Sequence, residues 1–202
     1  MSVCDWGSEF IPTSCTDYAI GGTTGRVWLI NKADWGTATI TEGATGEITA
    51  IALTTVASEA YRLECPRGSL TTDTPVTPNA GGIGGFTHTI NAVIPDMTQA
   101  MKNSISSLVN QNLVIAIVET QAPKPATSGT GDVKSPPYVV FGDTSGLELT
   151  TSGMNLADQA TGGSISITLT SPANSQLELN LPKNVDMSTA DIIALETPVP
   201  AP

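Results

Sequence analysis

The stretch NLVIAIVET, residues 112–120, contains an unbroken run of apolar side chains from Leu113 to Val118. Most of these residues are β-branched, and the run is too short for a typical helix of a globular protein. A short apolar run of this kind is typical of a strand whose two faces are both covered. We therefore predict a strand here that is buried on both faces.

Most other strand candidates alternate with period two, which predicts one covered face and one wet face. In GSISITLT (163–170), Ile165, Ile167 and Leu169 share one face, while the serine and threonine between them share the other. The remaining candidates are GRVWLIN (25–31), TATITEG and GEITAIALT around a hairpin loop at 43–46, EAYRLEC (59–65), the stretch 86–94, YVVFGD (138–143), GLELTT (146–151) and LELNLP (177–182).

One long helix is predicted over residues 97–110. Asp96 and Gln99 have the spacing of a capping box, and Met101, Ile105 and Leu108 form an apolar stripe. A shorter helix is predicted after Ser188. The fold class is therefore mainly β, a β-sandwich or half-open barrel with one flanking α-helix, long loops and extended termini.

The chain divides into an N-terminal arm (1–25), one β-sandwich domain (26–186) and a C-terminal tail (187–202). Within the domain, residues 66–85 and 121–137 are rich in proline and glycine and lack apolar periodicity, so both are predicted as long loops. The proline-rich end TPVPAP is expected to remain unpacked.

The glycine-rich stretch GGIGGFTHTI (81–90) is not expected to bind phosphate. A phosphate loop opens a helix, whereas the residues after Gly85 alternate as a strand. We interpret Gly81, Gly82, Gly84 and Gly85 as the end of the 66–85 loop, where the chain turns back into the sheet.

Few residues are suited to catalysis or metal binding. His88 is the only histidine and lies on an apolar face, which favours a hydrogen-bonded core residue. The three cysteines lack CxxC spacing and basic neighbours, and DTSGLE (143–148) has too few acids for a calcium loop. We predict a protein without enzymatic activity, cofactor or metal. The sequence shows neither a signal peptide nor a membrane span.

The net charge of −11 is spread along the chain, with 10 acids and 4 bases in residues 1–100 and 9 acids and 4 bases in residues 101–202. Tight binding of a phosphate backbone requires clustered cations. The charge pattern therefore excludes a tight grip on nucleic acid but not its passage nearby.

The order of features resembles the tail tube (major tail) proteins of tailed bacteriophages, in particular the type of Bacteroidetes phages. The residues behind the resemblance are GRVWLINKADW, the capped helix followed by NLVIAIVE, and YVVFGDTSGLELT leading to GGSISITLTS. The resemblance implies a β-sandwich subunit, six copies of which form a ring whose inner sheets join into one barrel. Stacked rings then form the channel for DNA ejection.

On that basis we expect a protein of the virion tail, made in the host bacterial cytoplasm. Its partners would be copies of itself, other tail or connector proteins, and DNA that passes without specific binding, with no membrane. Glu42, Glu47 and Glu64 are the candidates for the lumen. Contact between rings is assigned to the first long loop, through Thr71, Asp73, Pro75, Pro78, Gly81, Gly82, Gly84 and Gly85.

Two alternatives remain open from the sequence. One is a head–tail connector or tail terminator, which would form a single ring. The other is a capsid-decorating, carbohydrate-binding β-sandwich, which would expose aromatic side chains, whereas this chain has only three tryptophans.

Overall fold

A computed structural model of the chain describes residues 22–77, 84–95, 98–110, 113–121, 137–155, 163–172 and 181–200. Over these ranges the fold is mainly β, with two principal sheets and three helices. In chain order the elements are β1 (Thr23–Asn31), α1 (Lys32–Thr37), β2 (Thr39–Glu42), β3 (Ile48–Ala52), β4 (Tyr61–Glu64), β5 (Thr71–Asp73), β6 (Val76–Thr77), β7 (Gly85–Phe86), β8 (Thr89–Ile94), α2 (Gln99–Asn110), β9 (Val114–Thr120), β10 (Tyr138–Phe141), β11 (Glu148–Asn155), β12 (Ser164–Thr170), β13 (Lys183–Val185) and α3 (Thr189–Ala194).

The strands form two sheets. Sheet A has the order β2-β3-β13-β10-β9-β1-β4, and sheet B has the order β11-β12-β8-β5. Neighbouring strands are antiparallel, except that β13 runs parallel to β3. β2 and β3 form the predicted hairpin around residues 43–46.

Sheet A is covered on both faces. One face packs on sheet B through an intersheet core that includes Val27, Phe141 and Ile167, and the other packs on α1 and α3 through a helix-side core that includes Trp28 and Ile192. The apolar run at 114–118 alternates between these two cores and is buried at every position. The prediction of a strand buried on both faces is confirmed.

The described part of the chain covers sheet B on one face. Ile165, Ile167 and Leu169 of β12 are buried in the intersheet core, while Ser166 is exposed, so the predicted alternation is confirmed. No element within the described ranges packs on the opposite face of sheet B, where Asn91 and Ser166 are exposed.

Helix α2 flanks the sandwich, and its stripe of Met101, Ile105 and Leu108 lies half-buried against the intersheet core. It begins at Gln99, and the Thr98 hydroxyl accepts a hydrogen bond from the Met101 N–H at 3.3 Å. Thr98 therefore acts as an N-cap. Asp96, the predicted cap, lies outside the described residues. Helix α1, which the sequence reasoning did not predict, begins at an N-cap formed by Asn31.

The short turn after β10 carries the chain from sheet A to sheet B, so YVVFGD and GLELTT do not form one hairpin. Gly142 and Gly146 adopt φ values of 77° and 80° in this turn. A Cβ on Gly146 would lie 2.8 Å from the Leu113 Cβ. Both positions therefore favour glycine.

Part of the long loop predicted over residues 66–85 is strand. Thr71 and Asp73 lie in β5, which pairs with β8, and beyond Pro75 the ladder continues as β6 pairs with β7, which contains Gly85. Short strands without apolar alternation escaped the sequence analysis because their pairing partners supply the hydrogen bonds. We call residues 71–77 with 84–94 the hairpin arm. Gly84 is exposed, and Pro78, Gly81 and Gly82 lie outside the described residues, as does most of the loop predicted at 121–137.

The C-terminal segment predicted as a tail, residues 187–202, also differs from the prediction, because much of it is packed. Met187, Ile192 and Leu195 are buried in the helix-side core, and Ser188 caps α3 with a capping box. Even Val199, between two prolines, accepts a hydrogen bond from the Ala57 N–H and donates one to the Ser58 carbonyl. Residues 187–199 are therefore packed as part of the domain. The strand predicted at 177–182 lies outside the described residues apart from its last two positions, which are not in a strand.

Candidate functional site

The most extended polar surface in the described sheets is the outer face of sheet B. The strand register places on it residues that are exposed or half-buried: Thr71, Asp73, Thr89, Asn91, Val93, Glu148, Thr151, Gly153, Ser166, Thr168 and Thr170. Hydroxyl and amide groups dominate, with two carboxylates and neither lysine nor arginine. This face therefore offers hydrogen bonds to water but no positive charge for a phosphate.

One row of polar side chains crosses all four strands of sheet B. Thr71, Asn91, Thr168 and Thr151 are successive register partners, and the Thr168 hydroxyl donates to the Asn91 Oδ1 at 2.9 Å. Cross-strand partners lie about 5 Å apart. The row therefore forms a continuous uncharged band without an aromatic ring on which a base or a sugar could stack.

Both end strands of sheet B have an unpaired side in the described part of the chain. β11 is eight residues long, and Leu149–Asn155 contains neither charge nor proline. At the other end, β5 continues through Pro75 into β6. Long uncharged edge strands readily pair with another chain, and natural proteins usually protect them. The β11 edge is therefore a candidate assembly surface.

The structure does not bring the three acids predicted for the lumen together. Glu42 ends β2 and Glu47 follows in the next turn, at one edge of sheet A, whereas Glu64 ends β4 at the opposite edge. None of them lies on sheet B. Thr71 and Asp73, two of the residues predicted for ring contacts, lie on the outer face of sheet B.

All three of these acids have local partners, and Glu64 Oε1 lies 3.5 Å from Arg62 Nε in an ion pair. Lys183 Nζ lies 2.8 Å from Glu42 Oε1 and 2.9 Å from Asp143 Oδ2, and both hydrogen bonds raise the pKa of Lys183, the bond to Glu42 more. Glu47 accepts a hydrogen bond from the Thr45 hydroxyl, which lowers the pKa of its carboxyl group. Lys183 thus ties β13 to β2 and to the turn after β10.

His88 occupies a structural position between the sheets. It is 1% exposed, and its Nδ1 accepts a hydrogen bond from the Gly142 N–H at 3.0 Å. Its ring packs edge-on against Phe141 with centroids 5.6 Å apart. The prediction of a hydrogen-bonded core histidine is confirmed.

The described cysteine and acids do not form an evident reactive centre. Burial raises the pKa of Cys65 to about 11, which keeps the thiol protonated and weakly nucleophilic at neutral pH. Over the described ranges, no group of three or more His, Cys, Asp or Glu side chains is placed to hold a metal ion. Among the helices described, none is long and apolar enough to cross a membrane.

A cavity of about 300 Å³ lies beneath α2. Its lining combines aliphatic side chains, such as Leu63, Ile105 and Leu108, with the polar side chains of Asn31, Tyr61, Arg62, Ser104 and Ser107. The cavity explains why the apolar stripe of α2 is only half-buried.

Protein-family models, curated protein sequences and solved structures were compared with the chain, and none matches it. Functional inference therefore depends on the surfaces described above. The alternation in 163–170 already indicated the wet residues of β12. What the sequence could not indicate is that β5, β8, β11 and β12 join into one sheet, since strand order depends on contacts distant in sequence.

Proposed function

We propose that the chain is a tail tube subunit of a tailed bacteriophage, which assembles into rings that stack around a channel for DNA. The edges and the outer face of sheet B supply the strongest support for this proposal. In the described part of the chain, its two edge strands each have one unpaired side, and its outer face is polar and carries neither lysine nor arginine. A subunit with these properties can join its neighbours edge to edge and present a wet wall to DNA.

Ring closure would use the two edges of sheet B in a head-to-tail manner. β11 of one copy would add to the β5–β6 edge of the next, so that backbone hydrogen bonds continue from subunit to subunit. The edges are comparable in length, since β11 has eight residues and β5 and β6 together cover residues 71–77. A contact between two different surfaces generates a ring when its rotation closes.

The outer face of sheet B would line the channel. Its hydroxyl and amide groups keep water bound, and Asp73 and Glu148 repel phosphate over about 10 Å at 0.1 M salt. DNA would therefore pass without being held. In this arrangement Asp73 and Glu148, rather than Glu42, Glu47 and Glu64, are the acids nearest the DNA. The protein would act in the virion tail without an enzymatic activity.

Proline substitutions in β11 test the edge contact. Backbone N–H groups alternate in direction along a strand, so of Ser152→Pro and Gly153→Pro one removes a bond to β12 and the other removes only a donor at the free edge. We expect the variant that loses only the donor at the free edge to melt near the wild-type temperature yet fail to sediment as an assembly. If that variant assembles as the wild type does, β11 is not the contact between subunits.

Size-selective labelling tests the channel wall. In a background with Cys4, Cys15 and Cys65 replaced by serine, Thr168→Cys places a thiol on sheet B and Glu64→Cys places one at the edge of sheet A. In assembled tubes we expect a small maleimide to label both, and a protein-sized maleimide to label only Glu64→Cys. Equal labelling of both by the large reagent would contradict the proposed wall.

A further inference from the structure

Strand β4 forms one end of sheet A, and within the described ranges only β1 pairs with it. The Cys65 N–H donates to the Gly25 carbonyl at 2.8 Å, in register with the rest of this ladder. Backbone groups of an antiparallel strand alternate between its two neighbours. Leu63 therefore bonds to β1 as Cys65 does, whereas Arg62 and Glu64 direct their N–H and C=O groups to the free edge.

The side chains of Arg62 and Glu64 are exposed on one face of β4 and carry opposite charges. Arg62 Nε lies 3.5 Å from Glu64 Oε1 within the chain. Charged side chains on an edge strand commonly prevent its pairing with another copy. Here the two signs lie two residues apart, so the effect on a second copy depends on the register in which it approaches.

One antiparallel register of two β4 strands satisfies both the backbone and the charges. Registers that place Arg62 opposite Arg62, or Glu64 opposite Glu64, bring like charges together and are destabilised. The register centred on Leu63 places Arg62 of each copy opposite Glu64 of the other. Each of these pairs exchanges two backbone hydrogen bonds, because both residues direct their backbone groups to the free edge.

We propose that two copies of this chain pair through β4 about a two-fold axis beside Leu63, with Arg62 of each copy against Glu64 of the other. Each Arg62 then lies between its own Glu64 and that of the second copy, so the four charges alternate. The pairing also covers Tyr61, which is 61% exposed, and tyrosine is enriched at protein interfaces.

This contact is separate from the proposed joining of sheet B edges. It is isologous, whereas the ring contact is head-to-tail and leaves β4 unused. The dimer is therefore a state of the chain before rings form, in which the β4 edge is protected from unspecific pairing. Because β4 is only four residues long, the contact is small and the dimer should dissociate on dilution.

Charge reversal tests the pairing by sedimentation velocity, which resolves monomer and dimer from larger assemblies. We expect Arg62→Glu alone and Glu64→Arg alone each to weaken dimerisation at least about tenfold, because each opposes like charges twice. An equimolar mixture of the two variants restores unlike pairs and should dimerise again.

Glu47→Arg is the matched control, since it changes the net charge as Glu64→Arg does but lies near the opposite edge of sheet A. It should dimerise as the wild type does. Melting temperatures show whether each variant folds. Arg62 also lies 3.5 Å from Glu196, so if Arg62→Glu fails to fold, the exposed Glu64→Arg variant carries the test.

Disulfide trapping tests the register. Residue 61 should lie opposite Cys65 of the second copy as a non-hydrogen-bonded pair, with Cα atoms about 4.5 Å apart, which is within the range of a disulfide. With Cys4 and Cys15 replaced by serine, mild oxidation of Tyr61→Cys should give a covalent dimer on a non-reducing gel. The same variant with Cys65→Ser should not.

The outcomes separate this dimer from the proposed function. A dimer that is unaffected by both charge reversals, or the absence of a wild-type dimer at high protein concentration, overturns the β4 contact. Wild-type tubes without the dimer leave the tube function standing. A charge-dependent dimer from a protein that forms no tubes supports the β4 contact and counts against the tube function.

Discussion

Removing side-chain volume on each face of β9 should destabilise the protein strongly, because both faces are covered. Ile117 is fully buried in the helix-side core, and Val118 is 1% exposed in the intersheet core. We expect Ile117→Ala to lower the free energy of unfolding by about 2–5 kcal/mol and Val118→Ala by about 1.5–3 kcal/mol, from lost burial plus the cavity left behind.

The two effects should be nearly additive, since the side chains point into different cores and share few neighbours. Their sum of about 3.5–8 kcal/mol is a large part of the stability of a typical domain, about 5–15 kcal/mol, so the double variant should be much less stable than either single variant. In urea, with a slope of about 2 kcal/mol per molar, Ile117→Ala alone should shift the midpoint down by about 1–2.5 M.

Urea unfolding followed by circular dichroism, at a concentration where the chain is monomeric, measures these shifts. Ser166→Ala on the wet face of sheet B is the matched control, and it should stay within about 0.5 kcal/mol of the wild type. If either β9 variant were as stable as this control, one face of sheet A would not be covered as described.

Three further predictions concern the periphery of the domain. Ala57 has a φ of 64°. Ala57→Gly removes the cost of holding an alanine in the left-handed region but increases the entropy of the unfolded chain, so the free energy of unfolding should rise by about 0.5–1 kcal/mol. A lower melting temperature would contradict this. Ile192→Ala in α3 should cost about 2–5 kcal/mol in urea unfolding because the residue is fully buried, whereas a dispensable tail would show no change. The pKa of Cys65 rises from 9.0 to about 11 in the folded state. Between pH 9 and 11 the unfolded chain therefore releases the thiol proton while the folded protein keeps it, which lowers the free energy of unfolding, whereas below pH 9 there is no loss. Cys65→Ala should lose less stability over that range than the wild type, and equal losses would refute the buried thiol.

The local elements were predictable where hydrophobic periodicity was strong. The doubly covered run at 114–118, the alternating strand β12 and the stripe of α2 each show a pattern that contacts within the element impose. Residues 71–77 of the hairpin arm gave no such signal, because Thr71–Asp73 and Val76–Thr77 are held by backbone bonds to β8 and β7 rather than by side chains of their own.

The C-terminal segment was misjudged for a different reason. Its prolines indicated an unpacked end, yet Met187, Ile192 and Leu195 complete a core that also contains residues distant in sequence, such as Trp28. The Trp28 Nε1–H donates to Glu196 Oε1 at 2.8 Å, which further joins the segment to β1. Such a contact depends on strand order, which periodicity does not contain.

The candidate surface was predictable only in part. The wet residues of β8 and β12 followed from alternation, but the acids chosen for the lumen were selected from turns and strand ends without knowledge of which strands share a sheet. Glu42 and Glu64 consequently fall at opposite edges of sheet A, while Asp73, assigned to a loop, lies on the outer face of sheet B.

Electron microscopy of the purified chain, imaged over a range of protein concentrations, tests the central claim most directly. The proposed edge-to-edge joining of sheet B predicts hollow tubes built from stacked rings, with single rings as their precursors at low concentration. Single rings that never stack would indicate a connector or terminator instead. Small compact particles at every concentration would contradict assembly through sheet B.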